Sequence, residues 1–439
     1  MKERFLLLLF IFPAILSALS SSSGVASPQT TADDSLVITG IFFAGNEKTK
    51  DEVLYRELKS KVGRPLDPEL LLEDQKRIQN LRLFTRVEVQ PMRTDNGVVI
   101  VFYVAERWYI FPYPILFYNE GDVKKLSAGA GLVHQNFRGL NSTVAASFWL
   151  GYNDGIDVYY SNPWIWGEKQ FFFKLGFFAE RKRSKNLKYE RFDEEHLGMA
   201  LSLGKRFGYH TFLSSSIGYR VLNVDQEYAE ITASKNGSDR IPSLGVSFTY
   251  DTRDLHEYPK SGWYISSYVT KYANFSQVDF LKSGIDVRRY TPICKGVSLA
   301  SRAAADLAGG NMPIYENNYL GYSERIRGHF DLKREGQNRL LGNVELRFPI
   351  LKVRYMNLGG AQKALGSYGS NLPFGISGGI FFDTGAVWDK DITLTEGRFL
   401  SGYGAGLHFH VPYVDVVRLE YAFDTRQNGE LIMDVLVRF

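Results

Sequence analysis

The sequence has 439 residues, including 31 Phe, 26 Tyr, 6 Trp and 41 Gly, with a formal net charge of +4 and a mean hydropathy of -0.19. So small a charge gives no support for a nucleic-acid partner. After the N-terminal segment, no stretch offers the roughly 18 consecutive apolar residues that a membrane-spanning helix needs. Cys294 is the only cysteine, so an intrachain disulfide is excluded, and we interpret it as an ordinary residue of the fold.

The first 26 residues have the pattern of a secretory signal peptide. Lys2 and Arg4 precede an apolar run over residues 5–16, and small residues follow as far as Ala26. We expect cleavage after Ala26, with Ser20 as the alternative, and a linker over residues 27–35. The mature chain is therefore expected to be exported without a helical anchor.

Residues 36–107 predict a small α+β domain in the order strand, helix, helix, strand, strand (βααββ). Asp67 and Pro68 supply a capping residue and a first-turn proline for the second helix, predicted over residues 70–83. The last two strands are joined at residues 95–97, where an Asn-Gly pair accepts positive φ. The apolar sides of the two helices are formed by Val53, Leu54 and Leu58, and by Leu71, Ile78 and Leu81.

From residue 109 onward, the sequence breaks into short segments in which apolar residues alternate with polar ones. Residues 431–439 show this clearly, because large apolar residues occupy one face while Asp434 and Arg438 occupy the other. Such a strand suits a barrel wall between lipid and a water-filled lumen. At about 20 residues per strand and connection, residues 108–439 predict about sixteen strands. The expected fold class is β: a transmembrane antiparallel β-barrel after one small α+β domain.

Charged residues predict which strand faces point into the lumen, because a charge cannot be accommodated in hydrocarbon. Their apolar neighbours, such as Val344, Ile380 and Phe382, are predicted to face lipid. The residues predicted to face the lumen are Asn343, Glu345, Arg347, Gly379, Asp383, Gly385, Arg418, Glu420 and Asp424.

Four segments resemble the Bam/Sam outer-membrane assembly superfamily (bacterial surface antigen family), whose members carry periplasmic POTRA domains followed by a sixteen-strand barrel. Residues 77–87 are similar to the end of a POTRA helix, and residues 250–262 to the segment between the eighth and ninth barrel strands. The third segment is similar to the family's long sixth-loop motif and consists of Ile326, Arg327, Gly328, His329 and Phe330. The fourth is similar to the family's Asp-x-Gly-x-Val-Trp strand and contains Asp383, Gly385 and Trp388.

The resemblance implies contacts for the loop arginine. In the family, this arginine folds into the lumen and pairs with carboxylates of the inner wall, so Arg327 is expected to contact Glu345 and Asp383. A guanidinium bonded to two carboxylates in a partly enclosed site would pin a long loop. The alternative is that Arg327 is a solvated loop residue. His329 departs from the family's aromatic residue, and Phe330 is the candidate for that role one place later.

The boundary between the first and last barrel strands is a candidate lateral gate. Pro112 and Pro114 lack N–H donors and are expected to weaken pairing along the first strand, predicted over residues 109–119. A weak boundary against residues 431–439, which end in Phe439, would offer a template for an incoming strand. Alternatively, the two prolines only mark the entry of the strand.

The sequence therefore predicts an outer-membrane barrel that inserts β-barrel proteins in, or translocates polypeptide across, the outer membrane of a Gram-negative bacterium. Expected partners are unfolded outer-membrane or exported polypeptides and outer-membrane lipid, with periplasmic chaperones or lipoproteins as further candidates. A dedicated single-client secretion translocator and a passive pore or receptor are the alternatives. No nucleophile motif, metal-binding motif or phosphate-binding Gly-rich loop is present, so neither catalysis nor a cofactor is expected.

Overall fold

The computed structural model describes residues 36–118, 123–189, 192–273, 277–321, 324–329, 332–357, 370–395, 398–413 and 415–435. The predicted signal peptide and linker, together with Phe330 and Phe439, lie outside these ranges. Within them, none of the helices has both the length and the apolar character needed to cross a bilayer.

The N-terminal domain has the predicted order of elements. These are β1 (Ile38–Ala44), α1 (Asp51–Tyr55), α2 (Pro68–Asn80), β2 (Phe84–Thr94) and β3 (Gly97–Glu106). Strand β3 lies in the centre of the sheet, parallel to β1 and antiparallel to β2. The apolar sides of the helices pack on this sheet, and the fully buried core residues include Val53, Leu54, Leu58, Ile78, Ile100 and Phe102.

Helix α2 begins where the capping pattern predicts. The Asp67 carboxylate accepts hydrogen bonds from the backbone N–H groups of Glu69 and Leu70, at 3.0 and 3.1 Å. The helix ends before Leu83, the predicted last residue, because Arg82 has a left-handed φ of 58° that interrupts helical geometry.

The remaining chain forms a sixteen-stranded antiparallel sheet, which confirms the predicted fold class. Its strands are β4 (Ile110–Tyr118), β5 (Leu126–Phe137), β6 (Ser142–Gly151), β7 (Asp154–Ile165), β8 (Phe171–Arg183), β9 (Asp193–Phe207), β10 (Thr211–Val224), β11 (Ser238–Asp251), β12 (Gly262–Ala273), β13 (Asp279–Cys294), β14 (Val297–Asn311), β17 (Asn338–Met356), β18 (Leu372–Trp388), β19 (Leu400–Val411), β20 (Asp415–Asp424) and β21 (Gly429–Val435). Two short strands, β15 (Asn318–Leu320) and β16 (Arg334–Gly336), pair in the connection between β14 and β17. Short 3₁₀ helices occupy Val123–Lys125, Gly167–Lys169, Gln226–Ile231 and Ile314–Glu316.

The sheet curls so that its two ends approach each other. The ring of Phe111 in β4 lies 5.8 Å, centroid to centroid, from the ring of Tyr413 between β19 and β20. Over the described residues, β4 pairs only with β5, and β21 only with β20. The boundary between β4 and β21 is called the seam below.

The side-chain exposures follow the predicted alternation. Ile380 and Phe382 are 54% and 48% exposed on the outer surface, whereas Asp383 is 1% exposed. In the last strand, Leu431 and Met433 are 70% and 73% exposed. An outer face of large apolar side chains over a charged inner face is the arrangement of a membrane barrel.

The N-terminal domain contacts the turns after β5, β9, β11, β17 and β19, at what we call the lower rim. The strongest contact is a fork in which both terminal nitrogens of Arg206 donate to the Glu57 carboxylate, at 2.8 and 2.7 Å. The other hydrogen-bonded pairs are Lys50 with Gly139, Thr49 with Asn136, Leu58 with Tyr209, Asn80 with Asp254 and His256, Arg86 with Asn371, and Arg107 with Tyr413. The domain therefore lies across the mouth of the barrel.

Candidate functional site in the barrel lumen

Arg327 lies in the connection between β14 and β17, which is the sixth loop at the upper rim, opposite the N-terminal domain. Its Nε and Nη2 atoms donate to the two oxygens of Asp383, at 2.6 and 2.8 Å. Its Nη1 atom donates to Glu345 at 2.9 Å and to Glu420 at 3.0 Å. The guanidinium carbon also lies 3.5 Å from the ring centroid of Phe381. Arg327 is therefore bonded to carboxylates from three strands, β17, β18 and β20.

Two further arginines complete a buried charge cluster. Arg418 donates from Nη2 to both oxygens of Glu345, each at 2.6 Å, and Arg347 donates from Nε to the same carboxylate at 2.6 Å. With Arg327, three guanidinium groups face the three carboxylates of Glu345, Asp383 and Glu420, so the charges balance. Such pairing is required because an unpaired charge removed from water is strongly destabilising.

A tyrosine and a histidine extend the cluster across the lumen. The hydroxyl of Tyr258, in the connection between β11 and β12, lies 2.8 Å from Nδ1 of His408. The other ring nitrogen of His408 lies 3.3 Å from Glu420. The guanidinium of Arg347 lies 4.9 Å from the Tyr258 ring centroid. The segment at residues 250–262 is thus connected to the same site as the sixth loop.

Glycines in the barrel wall allow the sixth loop to approach the strands closely. An added Cβ at Gly402 would lie 1.8 Å from the carbonyl oxygen of Arg327, and one at Gly385 would lie 2.9 Å from Ile326 Cδ1. Gly328 has a φ of +94°, and its added Cβ would lie 2.5 Å from the carbonyl oxygen of Phe423. Side chains at these positions would push the loop away from the wall.

The sixth loop also contacts the last strand. The Gly328 N–H donates to Glu430 at 2.6 Å, and Arg325 donates to Asp434 at 2.5 Å. Both carboxylates belong to β21, on its inner face. The loop is therefore bonded to the strand that borders the seam.

The predicted site residues fall into two groups. The structure brings Ile326, Arg327, Gly328 and His329 of the loop together with Glu345, Asp383 and Gly385. The other described residues lie elsewhere: Trp388 is the last residue of β18, and Pro112 and Pro114 are in β4.

The two prolines do not interrupt the register of β4. Pro112 is opposite Leu132 and Pro114 is opposite Ala130 in an unbroken register from Ile110 to Tyr118. The prolines therefore do not shift the β4–β5 ladder, and the expectation that they weaken pairing along the first strand at its boundary with the last strand stays a prediction. Proline is tolerated in a strand at the edge of a sheet, where one side makes no ladder.

Sequence reasoning missed Glu420 as the third carboxylate on Arg327, and His408 and Tyr258 as members of the cluster. The alternation of β20 predicted that Glu420 faces the lumen. It gave no indication that Arg327 would be the partner of this carboxylate. For His408, no charge or spacing signal separated it from the other histidines.

The cluster contains residue types that can bind a metal ion, but the positive charges around it disfavour one. Ligand atoms of Glu345, His408 and Glu420 lie within 4.8 Å of one another. Both carboxylates already accept hydrogen bonds from arginines. Three nearby guanidinium groups would repel a divalent cation, so the residues do not fit a metal.

The family comparisons agree with this architecture. The model of the Omp85 superfamily domain matches residues 136–431, and the model of the surface antigen variable number repeat, the POTRA domain, matches residues 36–107. The outer membrane protein assembly factor BamA of Nitratidesulfovibrio vulgaris is 22% identical over 329 residues, which are 66% of this chain and 37% of that protein. The chain thus spans little more than a third of that relative.

Two solved structures share the fold. BamA from Haemophilus ducreyi lacking POTRA domains 1–3 has a TM-score of 0.55 and 16% identity, over 93% of this chain and 85% of that one. CdiB from Escherichia coli has a TM-score of 0.59 and 15% identity, over 92% and 75%.

These matches assign the barrel to the outer membrane of a Gram-negative bacterium and the N-terminal domain to the periplasm, so the lower rim is periplasmic. The chain belongs to the Omp85 superfamily, with a POTRA domain ahead of a sixteen-stranded outer-membrane barrel.

Proposed function

We propose that this protein inserts β-barrel proteins into the outer membrane, with the seam between β4 and β21 as the lateral gate. One observation carries the proposal: over the described residues, β4 and β21 each pair on one side only, and β21 is also bonded to the sixth loop. Unfolded outer-membrane polypeptides are the substrate class, and no catalytic chemistry is involved.

The physical driving force is backbone hydrogen bonding in a medium without water. An unpaired N–H or C=O group in hydrocarbon has no solvent partner, so a strand edge at the seam favours pairing with another strand. An extended client gains backbone hydrogen bonds by adding to that edge, and its side chains then face lipid and lumen alternately. Pro112 and Pro114 belong to this gate because they lack the donors that would help to close it.

The sixth loop acts in this proposal as an inward-folded latch. Arg327 is the centre of the latch, with Asp383, Glu345 and Glu420 as its partners. Because the neighbouring residues Arg325 and Gly328 bond to β21, release of the latch would remove support from one side of the gate. A pore for passive diffusion needs neither a latched loop nor a periplasmic domain.

The POTRA domain offers a first binding place for clients. Strand β2 is an edge of the three-stranded sheet, to which an extended polypeptide can add by β-augmentation. Periplasmic chaperones or lipoproteins are candidates for delivering the client, and outer-membrane lipid receives it.

The decisive experiment is depletion of the protein in its own host, followed by quantitative proteomics of the outer membrane. Loss of many unrelated barrel proteins would support general insertion. Loss of one exported client, with other barrels intact, would instead identify a dedicated translocator. An unchanged outer-membrane proteome would contradict both and favour the pore. Complementation with wild type, Arg327→Glu and the exposed control Arg354→Gln would show whether the function requires the latch.

A further inference from the structure

A cavity of about 490 Å³ separates the POTRA domain from part of the lower rim. Its walls come from the segment after α1, from α2, from the ends of β7, β9 and β10, and from the connection between β11 and β12. It shares no residue with the Arg327 cluster.

Six Lys or Arg side chains but only four carboxylates line this cavity. Two of the carboxylates are each engaged by an arginine fork. Glu57 accepts from Arg206 at 2.8 and 2.7 Å, and Asp251 accepts from Arg253 at 2.9 and 2.6 Å.

The other two carboxylates also accept hydrogen bonds. Glu73 accepts from Lys59 at 3.2 Å and from Arg77 at 3.3 Å. Asp254 accepts from two backbone N–H groups, at 2.9 and 3.2 Å. The lining therefore carries two more cations than carboxylates, and among its cations Arg56 and Lys76 donate no hydrogen bond to a carboxylate of the described residues.

Arg56 is a largely buried cation whose nearest carboxylate is shared with another arginine. Its side chain is 10% exposed, its Nε has no hydrogen-bond partner, and Glu57, already bonded to Arg206, is 3.8 Å away. Burial lowers the pKa of Arg56 to about 10 and the positive charge of Arg206 acts in the same direction, whereas Glu57 and Glu52 raise it. The guanidinium carbon lies 4.9 Å from the ring centroid of Trp164. Stacking uses the face of the guanidinium and leaves its N–H edge available for an oxyanion.

We propose that this cavity binds a phosphate monoester, held by Arg56 and Lys76. A monoester carries a charge of about -1.5 to -2 near neutral pH, which matches the excess of two cations in the lining, whereas a carboxylate carries only -1. The phosphoryl group can belong to a soluble periplasmic compound or to a lipid headgroup of the inner leaflet. This site is independent of the proposed insertion function.

Isothermal titration of the purified full-length protein with inorganic phosphate tests the proposal. Wild type should bind phosphate more tightly than acetate at equal ionic strength. Arg56→Gln and Lys76→Gln should each weaken phosphate binding by about tenfold or more, because each removes a charge-assisted contact. The controls Arg93→Gln and Lys61→Gln, at exposed positions of the same domain outside the cavity, should bind like wild type.

Thermal unfolding separates a ligand-binding role of Arg56 from a structural one. In phosphate-free buffer, Arg56→Gln should unfold at the wild-type temperature or above, since it removes a largely buried charge whose nearest carboxylate is already bonded to Arg206. A lower unfolding temperature would make Arg56 structural and overturn the assignment. Equal binding of phosphate and acetate, or no binding of phosphate, would also overturn it.

Nanodiscs distinguish the two sources of the phosphoryl group. If the ligand is lipid-borne, nanodiscs containing phosphatidic acid should raise the unfolding temperature of wild type but not of Arg56→Gln, relative to phosphatidylcholine alone. If the ligand is soluble, only added phosphate should have this effect. A response of neither kind would contradict the proposal.

Discussion

Replacing Arg327 by Gln should release the sixth loop from the barrel wall. Arg327 is 7% exposed, and its guanidinium donates four hydrogen bonds to Asp383, Glu345 and Glu420. The substitution leaves two guanidinium groups facing three carboxylates. The cluster would then contain a buried negative charge without a partner.

The size of the effect follows from the cost of breaking a buried ion pair. Removing one partner typically costs about 3–5 kcal/mol, and each 1.4 kcal/mol is about a tenfold change in an equilibrium. The open state of the loop should therefore be populated about 10²- to 10⁴-fold more in the variant. The loop amides report this directly, because the Gly328 N–H donates to Glu430 and the Arg327 N–H donates to Asp383, both on the barrel wall.

Hydrogen exchange measured by mass spectrometry on residues 324–329 is the assay. We expect exchange there to accelerate by about 10²- to 10⁴-fold in Arg327→Gln. Exchange in β9 and β10 should stay unchanged, as should the whole pattern in the exposed variant Arg354→Gln. Loop exchange within threefold of wild type would refute the reasoning, whereas partial recovery on adding Asp383→Arg to Arg327→Glu would support it.

Three other experiments test separate parts of the structure. Gly402→Ala should accelerate exchange in the sixth loop, because its Cβ would lie 1.8 Å from the Arg327 carbonyl oxygen. A lipid-soluble thiol reagent should label Val344→Cys, which is on the outer face, and not Asn343→Cys, which is on the inner face. Asp74→Asn should destabilise the POTRA domain by about 3 kcal/mol, measured by native-state hydrogen exchange, because the buried carboxylate accepts from two backbone N–H groups.

Each of these experiments has a matched control or background. Gly309→Ala places its Cβ in open space and should leave loop exchange unchanged. The labelling needs a Cys294→Ser background because Cys294 is exposed. Asp95→Asn, in an exposed turn, should not affect the POTRA domain. Equal effects in a variant and its control, or labelling at Asn343→Cys with protection at Val344→Cys, would contradict the corresponding prediction.

Alternation in the sequence predicts the faces of the strands because a charge and hydrocarbon exclude each other. This is why Glu345 and Asp383 could be assigned to the lumen without coordinates, and why the number of strands could be counted from the length of the chain. The start of α2 was predictable for a local reason, since Asp67 satisfies N–H groups only two and three residues away.

Contacts across the lumen could not be predicted in this way. Alternation gives the face of a residue but neither its height along the barrel nor the strand opposite it. Tyr258 and His408 are 150 residues apart and meet only because the sheet curls. The same holds for Glu57 and Arg206, since nothing local to either indicates how the domain meets the rim.

The contacts of the POTRA domain with five turns have a mechanical consequence. A compact domain that is hydrogen-bonded to several turns around the periplasmic mouth of the barrel resists changes in the circumference of that mouth. Gly139, Asp254 and Tyr413 follow widely separated strands, and each is bonded to the domain. Any increase in the periplasmic circumference of the barrel must stretch or break some of these bonds. The stiffness of the barrel mouth is therefore set in part by a domain outside the membrane.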